Sequence, residues 1–290
     1  MHWQTSRFVI DLSEPKVMGI VNVTPDSFSD GGAHASRDAA MAHCERLLKD
    51  GADILDIGGE STRPGALELP VEDELERVLP VVRHAVTLGV PVSVDTYKPQ
   101  VMQAVLDLGA DIINDVWALR WRSEASDHSA MNVLRGHPSC GVCLMHMHRN
   151  PQTMQVAPME GDVMPQVLSF LEQSAQYIRG LGVDKARICI DPGIGFGKTV
   201  QQNFALLGQQ AALVSMGYAV MAGWSRKSSL AAVTGRSLAS VATLDMRDRL
   251  VPSVTAALLA VQNGAHVIRV HDVKETVQAL SVLGAMKQYS

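Results

Sequence analysis

The sequence predicts an α/β protein folded as a (β/α)₈ barrel. Three observations carry that reading. Eight short runs rich in Val and Ile recur at a fairly even spacing along 290 residues, amphipathic stretches separate them, and a glycine repeatedly closes an amphipathic stretch just before the next apolar run. Eight helix–glycine–strand units are the arithmetic of such a barrel. A doubly wound open sheet is the alternative, but eight strands that fill the whole chain favour the closed form. One domain over residues 1–290 is expected, because no linker, low-complexity tract or charge block marks a second.

The run Phe8–Leu12 precedes the first unit and is expected as a short extra strand plugging the barrel bottom. The barrel strands are then expected at Val17–Val23, Ala52–Gly58, Val90–Asp95, Asp111–Val116, Gly141–Met147, Ala186–Asp191, Tyr218–Trp224 and His266–His271. Their nearly unbroken apolarity fits parallel strands buried on both faces. Between them, Ala40, Cys44, Leu47 and Leu48 share one helical face. So do Val163, Val167, Phe170, Leu171 and Ile178, and later Val273, Val277, Leu280 and Leu283. The segments 51–54 (GADI), 109–112 (GADI) and 264–267 (GAHV) repeat one punctuation, with Gly89, Gly182 and Gly217 as looser versions. Glycine suits the left-handed residue just past a helix end. The run Pro252–Val261 is apolar nearly all round, which fits either a buried helix or a dimer face.

Composition removes several function classes. With 47% hydrophobic residues the chain has ample core and is not disordered. Its 25 basic and 30 acidic residues give a net charge of −5, whereas proteins that coat nucleic acid are usually basic. Aromatics are only 4%, too few for a base-stacking platform. The longest apolar run, Ala211–Trp224, is broken by Ser215 and Gly217 and falls short of the ~20 residues a membrane span needs. No long apolar segment at the N-terminus reads as a secretory signal. Four cysteines do not make a disulfide framework, so a reducing cytoplasm is expected.

The ends of the expected strands carry the polar residues. They are Asn22, then Thr62 and Arg63 shortly after the second strand, Asp95, Asn114, His146 with His148, Asp191, the Ser225–Lys227 triplet, and Arg269 with His271. Polar groups inside barrel strands are costly unless used or paired, and barrel enzymes build their sites at the C-terminal strand ends. One such residue can merely cap a strand; a succession over eight strands points to a site. Asp95, Asn114 and Asp191 supply acceptors and an amide, matching the donor-rich edge of an aminopyrimidinone ring. Arg63, Lys227, Arg269 and His271 supply positive charge suited to a phosphate or diphosphate. Two loops, TPDSFSDGG (24–32) and GGESTRPGA (58–66), are dense in Gly, Pro, Ser and Asp and are placed to close over a substrate. Phe28 would be an exposed aromatic in the first of them.

Two other patterns carry less. Residues 192–199 look like a phosphate loop but have Pro192 where the first Walker glycine belongs and Lys198 where the dinucleotide fingerprint needs its third glycine. Cys140 and Cys143 form a lone CxxC near His146 and His148. Without a second pair, buried thiols and a structural histidine are expected rather than a zinc site.

The segments GIVNVTPDSFSDGG (19–32) and DIGGESTRPGA (56–66) resemble the two signatures of the dihydropteroate synthase family. VSVDT (92–96), IIND (112–115), LMHM (144–147), IDPGIGFGK (190–198), SRKSSL (225–230) and IRVHDVKET (268–276) resemble it in the same order. The resemblance runs from about residue 8 to about residue 285. It implies a TIM barrel enzyme of folate biosynthesis, a sulfonamide target, that joins 4-aminobenzoate to 6-hydroxymethyl-7,8-dihydropterin diphosphate with help from Mg2+. It implies that Asn22 helps hold the magnesium. Asp95, Asn114, Asp191 and Lys227 would hold the pterin, with Met145 lining the mouth. Thr62 and Arg63 would lie near the diphosphate, and Arg269 and His271 would bind it. Phe28, Pro64, Phe196 and Ser228 would form the aminobenzoate pocket. A homodimer through the last helices is also implied. Trp117–Gly136, with Trp117, Trp121 and three arginines, departs from the pattern. A methyltransferase using methyltetrahydrofolate is the first rival, but it has no diphosphate to hold and no use for so many cations. A non-catalytic pterin-binding paralogue and a structural barrel are the others.

Overall fold

The computed structural model describes residues 1–24, 32–62, 65–121, 129–235 and 246–289, without the side chains of 32–36, 246 and 247. Among the described residues ten strands form: β1 (His2–Gln4), β2 (Val9–Asp11), β3 (Lys16–Asn22), β4 (Ile54–Gly58), β5 (Val92–Asp95), β6 (Ile112–Asp115), β7 (Gly141–Met145), β8 (Ile188–Asp191), β9 (Ala219–Ala222) and β10 (Val267–Val270). The last eight close a parallel barrel in the order β10-β3-β4-β5-β6-β7-β8-β9. The expected (β/α)₈ barrel is therefore found. Helices α1 (Gly32–Lys49), α2 (Val71–Ala85), α3 (Pro99–Asp107), α4 (Ala130–Gly136), α5 (Val163–Gly180), α6 (Val200–Gly208), α7 (Ala211–Val214), α8 (Ser228–Thr234), α9 (Leu250–Gln262) and α10 (Val273–Gln288) lie between and after the strands. Among the described residues, no helix is long and apolar enough to cross a membrane.

The strands are shorter than the apolar runs suggest, for local reasons. The run Ala186–Asp191 begins with a 3₁₀ turn at Lys185–Arg187 because the Asp184 carboxylate accepts from the Ala186 N–H at 2.7 Å. The expected closing glycines do take left-handed conformations, with φ of +100° at Gly51, +98° at Gly109 and +90° at Gly264. Asp162 and Thr199 cap α5 and α6, the latter in a reciprocal capping box with Gln202.

Period-two alternation decides what each strand residue meets. Leu55 and Ile57 face the helices in the outer core, while Ile54 faces the barrel interior. The lower interior is filled by Met18, Ile54, Ile112, Cys143, Cys189, Ala219, Met221 and Val267. The run Phe8–Leu12 holds the strand expected to plug this end, and it is half of an antiparallel hairpin with β1. Trp3, Ile10 and Leu12 cap the interior, and the Trp3 indole N–H donates to the Arg187 carbonyl at 3.0 Å. Burying one such indole contributes about 4–6 kcal/mol gross. Arg7 fastens the hairpin by a bidentate pair to the buried Asp111, at 3.0 and 2.6 Å. With the bottom closed by apolar packing, the polar inward positions are left at the opposite, C-terminal end.

Candidate active site

One step up each strand from the apolar layer, the inward residues become polar. Asp56 on β4, Asn114 on β6, Asp191 on β8 and Arg269 on β10 sit two positions after interior core residues, Asp95 on β5 pairs in register with Asn114, and apolar Met145 holds the corresponding place on β7. Asp56 is fully buried, Asn114 and Asp191 nearly so. Arg269 binds the acidic group together. Its Nε donates to Asp56 at 2.6 Å and its NH2 to Asp95 at 2.8 Å. The Asn114 amide donates to Asp56 at 3.3 Å. Burial works against the Arg269 charge, but Asp56 and Asp95 more than offset it and hold the guanidinium above its ordinary range. Burial pushes the Asp95 carboxyl up to about 7 even though Arg269 pulls it back. Asp191 is also raised by burial, against the Gly193 N–H and the charges of Lys227, Lys198 and Arg269.

Beside this group stands Lys227, immediately before α8. Its ammonium lies 4.4 Å from the Phe196 ring centre. Burial brings it down to about 8, with Asp191 opposing the shift. Phe196 and Met145 belong to one apolar cluster at the mouth, with Tyr97, Val116, Met147 and Met154. The mouth thus has an acidic floor, an apolar wall and cations at its edge. Ser228 is the exposed first residue of α8. His271 follows β10, where its ring Nδ1 lies 2.9 Å from the Ser225 hydroxyl. Asn22 ends β3, half-buried and paired in register with Gly58. Thr62 follows β4, on the second loop. It lines a cleft of about 230 Å³ with Glu60, Tyr97, Trp117, Trp121 and Pro151, whose walls include none of Asp95, Asn114 or Asp191. Phe28, Arg63 and Pro64 lie outside the described residues.

Several participants escape a reading of strand ends. Asp56 lies in mid-strand, and its signal is a carboxylate inside an apolar run, which is costly unless used. Lys98 is buried just after β5, bonded to Glu60 and, at 2.7 Å, to Glu74 of α2. This pins the root of the second loop, where Arg77 also donates to the Gly59 carbonyl at 3.0 Å. The aromatic residues of the unusual stretch are accounted for as well: Trp117 and Trp121 pack on Tyr97 with ring centres 6.3 and 5.3 Å away. Cys140 and Cys143 are buried free thiols, and His146 is buried beside Lys198. Among the described residues no group of three His, Cys, Asp or Glu is placed to hold a metal ion.

Comparison with known proteins identifies the family. The profile of a family described as pterin binding enzyme matches residues 18–271. The dihydropteroate synthase of Neisseria meningitidis serogroup B is 45% identical over 289 residues, covering 98% of this chain and 97% of that one. The Xanthomonas albilineans dihydropteroate synthase solved with 4-aminobenzoic acid superposes with a TM-score of 0.87 at 45% identity, over 99% of this chain and 98% of the other. The Burkholderia cenocepacia dihydropteroate synthase complexed with 7,8-dihydropteroate gives 0.86 at 45% identity, over 99% and 97%.

Proposed function

The chain belongs to the family of pterin-binding enzymes, and from that premise we propose that one barrel domain over residues 1–290 performs the dihydropteroate synthase reaction. The amine of 4-aminobenzoate replaces diphosphate on the methylene of 6-hydroxymethyl-7,8-dihydropterin diphosphate, giving 7,8-dihydropteroate. The observation that carries the site reading is the convergence of Asp95, Asn114 and Asp191 on one barrel mouth, with Lys227 and Arg269 at its edge.

In this reading the acidic floor accepts the ring N–H groups of the pterin, with Lys227 donating beside Asp191 and Met145 against the ring. The carbon–oxygen bond breaks and its electron pair leaves with the diphosphate. The dihydropterin is electron-rich and spreads the resulting positive charge, and Asp95 and Asp191 lie close enough to favour it. Arg63, Arg269 and His271 take the diphosphate, with Thr62 nearby. Phe28, Pro64, Phe196 and Ser228 hold the aminobenzoate so that its nitrogen lone pair meets the methylene. The attacking nitrogen then loses one proton, which passes to water or to the departing diphosphate; no side chain is assigned as general base. The donor set suits magnesium: Asn22 offers one neutral oxygen at the mouth, and Mg2+ usually keeps waters and takes phosphate oxygens alongside one or two protein ligands. Bound there, the ion would neutralise charge on the leaving diphosphate.

The deciding experiment is diphosphate release by the purified protein with Mg2+ and the dihydropterin diphosphate, with 4-aminobenzoate present or absent. Release with dihydropteroate formation is expected. Pterin binding with no product would point to a non-catalytic paralogue.

Two further expectations follow from the geometry. A carboxyl accepts two ring N–H bonds only when ionised, so kcat/KM for the dihydropterin diphosphate is expected to decline below about pH 7, where Asp95 takes up a proton. A flat profile between about pH 5.5 and 8 would remove Asp95 from ring binding. The same shift acts oppositely on stability: the contribution of protonated Asp95 is full below about 4 and lost as the pH rises through about 7. The second expectation concerns assembly. The stretch Pro252–Val261 lies in α9, which buries Ala256, Ala257 and Ala260 but exposes Val251 and Leu259 along one stripe. Val282 is exposed on the adjoining α10. We assign these positions to a homodimer interface. Sedimentation should give a dimer for the native protein and a monomer for Leu259→Lys/Val282→Lys; an unchanged mass for that variant would place the interface elsewhere.

A further inference from the structure

In the sequence Lys198 spoils a dinucleotide fingerprint and ends the segment IDPGIGFGK, with no role assigned to it. In the fold it is 2% exposed. Its ammonium lies 2.9 Å from His146 Nδ1, 2.8 Å from the Gly193 carbonyl and 3.2 Å from the Phe196 carbonyl, with the His146 carbonyl more distant at 3.4 Å. A protonated lysine has three N–H donors, and the three shorter contacts use them. Burial, with Lys198 and Arg120 nearby, brings His146 down to about 2, so its ring is neutral and Nδ1 is free to accept.

The two loop carbonyls on Lys198 are the ends of one turn. Phe196 N–H donates to the Gly193 carbonyl at 3.1 Å, and Gly193 N–H donates to the Asp191 carboxylate at 2.7 Å. Gly193 has φ of +68°, and a Cβ there would lie 1.9 Å from the His146 carbonyl oxygen. The turn is therefore pressed directly on the end of β7, with the ammonium as the fastening. Asp191 stands at one end of the turn and Phe196 at the other.

We propose that Lys198 is a positioning residue for the reaction: it locks the Gly193–Phe196 turn onto His146 and so fixes Asp191 and Phe196 relative to Lys227. This rests on Asp191 and Phe196 serving the pterin and the aminobenzoate. The charged and titratable groups that bear on Lys198 are His146 and His148 after β7, Asp191 on β8 and Lys227 before α8. Burial brings Lys198 itself down to about 7, Asp191 opposing and Lys227 adding to the shift. In return, Lys198 is one of the cations that keep Asp191 ionised.

The test compares the full-length protein with Lys198→Met and Lys198→Gln, measuring kcat, KM for each substrate, the pH profile and near-UV circular dichroism. A turn displaced by about 1 Å should lower kcat/KM by about 10- to 100-fold in Lys198→Met and raise KM for 4-aminobenzoate. The acid limb of kcat/KM for the dihydropterin diphosphate, to which Asp191 contributes beside Asp95, should also move to higher pH, because Asp191 has lost a neighbouring cation. A purely structural lysine would not move that limb. Lys198→Gln keeps a donor without the charge, so it should recover part of kcat but not the acid limb. A natively folded Lys198→Met with wild-type KM and an unmoved limb overturns the proposal. Should Lys198→Met not fold, the same pair of results in Lys198→Gln does so. Wild-type protein that makes no dihydropteroate would instead overturn the assigned reaction, a result distinct from a variant that works as well as the native chain.

Discussion

Lys227→Met is expected to lower kcat/KM by about 10²- to 10³-fold while leaving the fold intact. The ammonium sits where three functions meet. It lies over the Phe196 ring at 4.4 Å, it opposes protonation of Asp191, and it faces the mouth as a donor. Removing it raises Asp191 further, so the pterin loses one acceptor as well as one donor. Burial already works against this charge, bringing it down to about 8, so losing the ammonium removes its own desolvation cost while Asp191 keeps Lys198 and Arg269 as neighbouring cations, and Tm should fall by no more than a few degrees. Lys227→Arg is not expected to rescue. A Cβ at Gly195 would lie only 3.2 Å from Lys227 Cδ, so the side chain runs close to the loop, and a planar guanidinium needs more room. Wild-type turnover in Lys227→Met would exclude this lysine from the reaction.

Arg269→Met is expected to damage stability and activity together, and by separable routes. The guanidinium is the shared counter-ion of Asp56 and Asp95, and Asp56 has no exposed surface. Leaving buried carboxylates without their cation costs about 3–5 kcal/mol. The deficit should be smallest below about pH 7, where folded Asp95 is protonated with or without Arg269, and grow as the pH rises above about 7, where the native chain ionises Asp95 beside its cation and the variant must hold that charge without it. Adding Asp56→Asn should restore part of the stability at pH 8 but none of the activity, since the diphosphate still lacks its cation. Urea unfolding at about pH 5 and 8, beside kcat/KM, reads both quantities. Equal losses of stability at the two pH values would show that the two carboxylates do not need Arg269.

The barrel was legible because its signals are local. A strand buried on both faces must be apolar along its length, and a helix that ends before it needs a left-handed residue, so β3–β10 and the glycines at 51, 109 and 264 announce themselves within a few residues. β1 did not, since in three residues only Trp3 is apolar and its partner strand and indole acceptor lie elsewhere in the chain. The polar strand ends were legible for a similar reason: a charge at the end of an apolar run is conspicuous. Asp56 was not, although it stands within a quoted motif, because nothing local distinguishes a carboxylate that faces the barrel from one that faces a helix.

By itself, then, the sequence determined which residues form strands, which strand ends are polar, and which family the chain resembles. Only the tertiary structure decided which charges neutralise one another. Arg269 on β10 meets Asp56 on β4 across 213 residues because the closed barrel sets both beside β3 and facing its interior, and Lys198 meets His146 across 52 because β7 and β8 pair and carry the segments that follow them together. A lysine in a sequence looks like a solvated charge. Whether it is instead a buried ammonium with three acceptors depends on where the fold has placed those acceptors, and burial without them would be prohibitive.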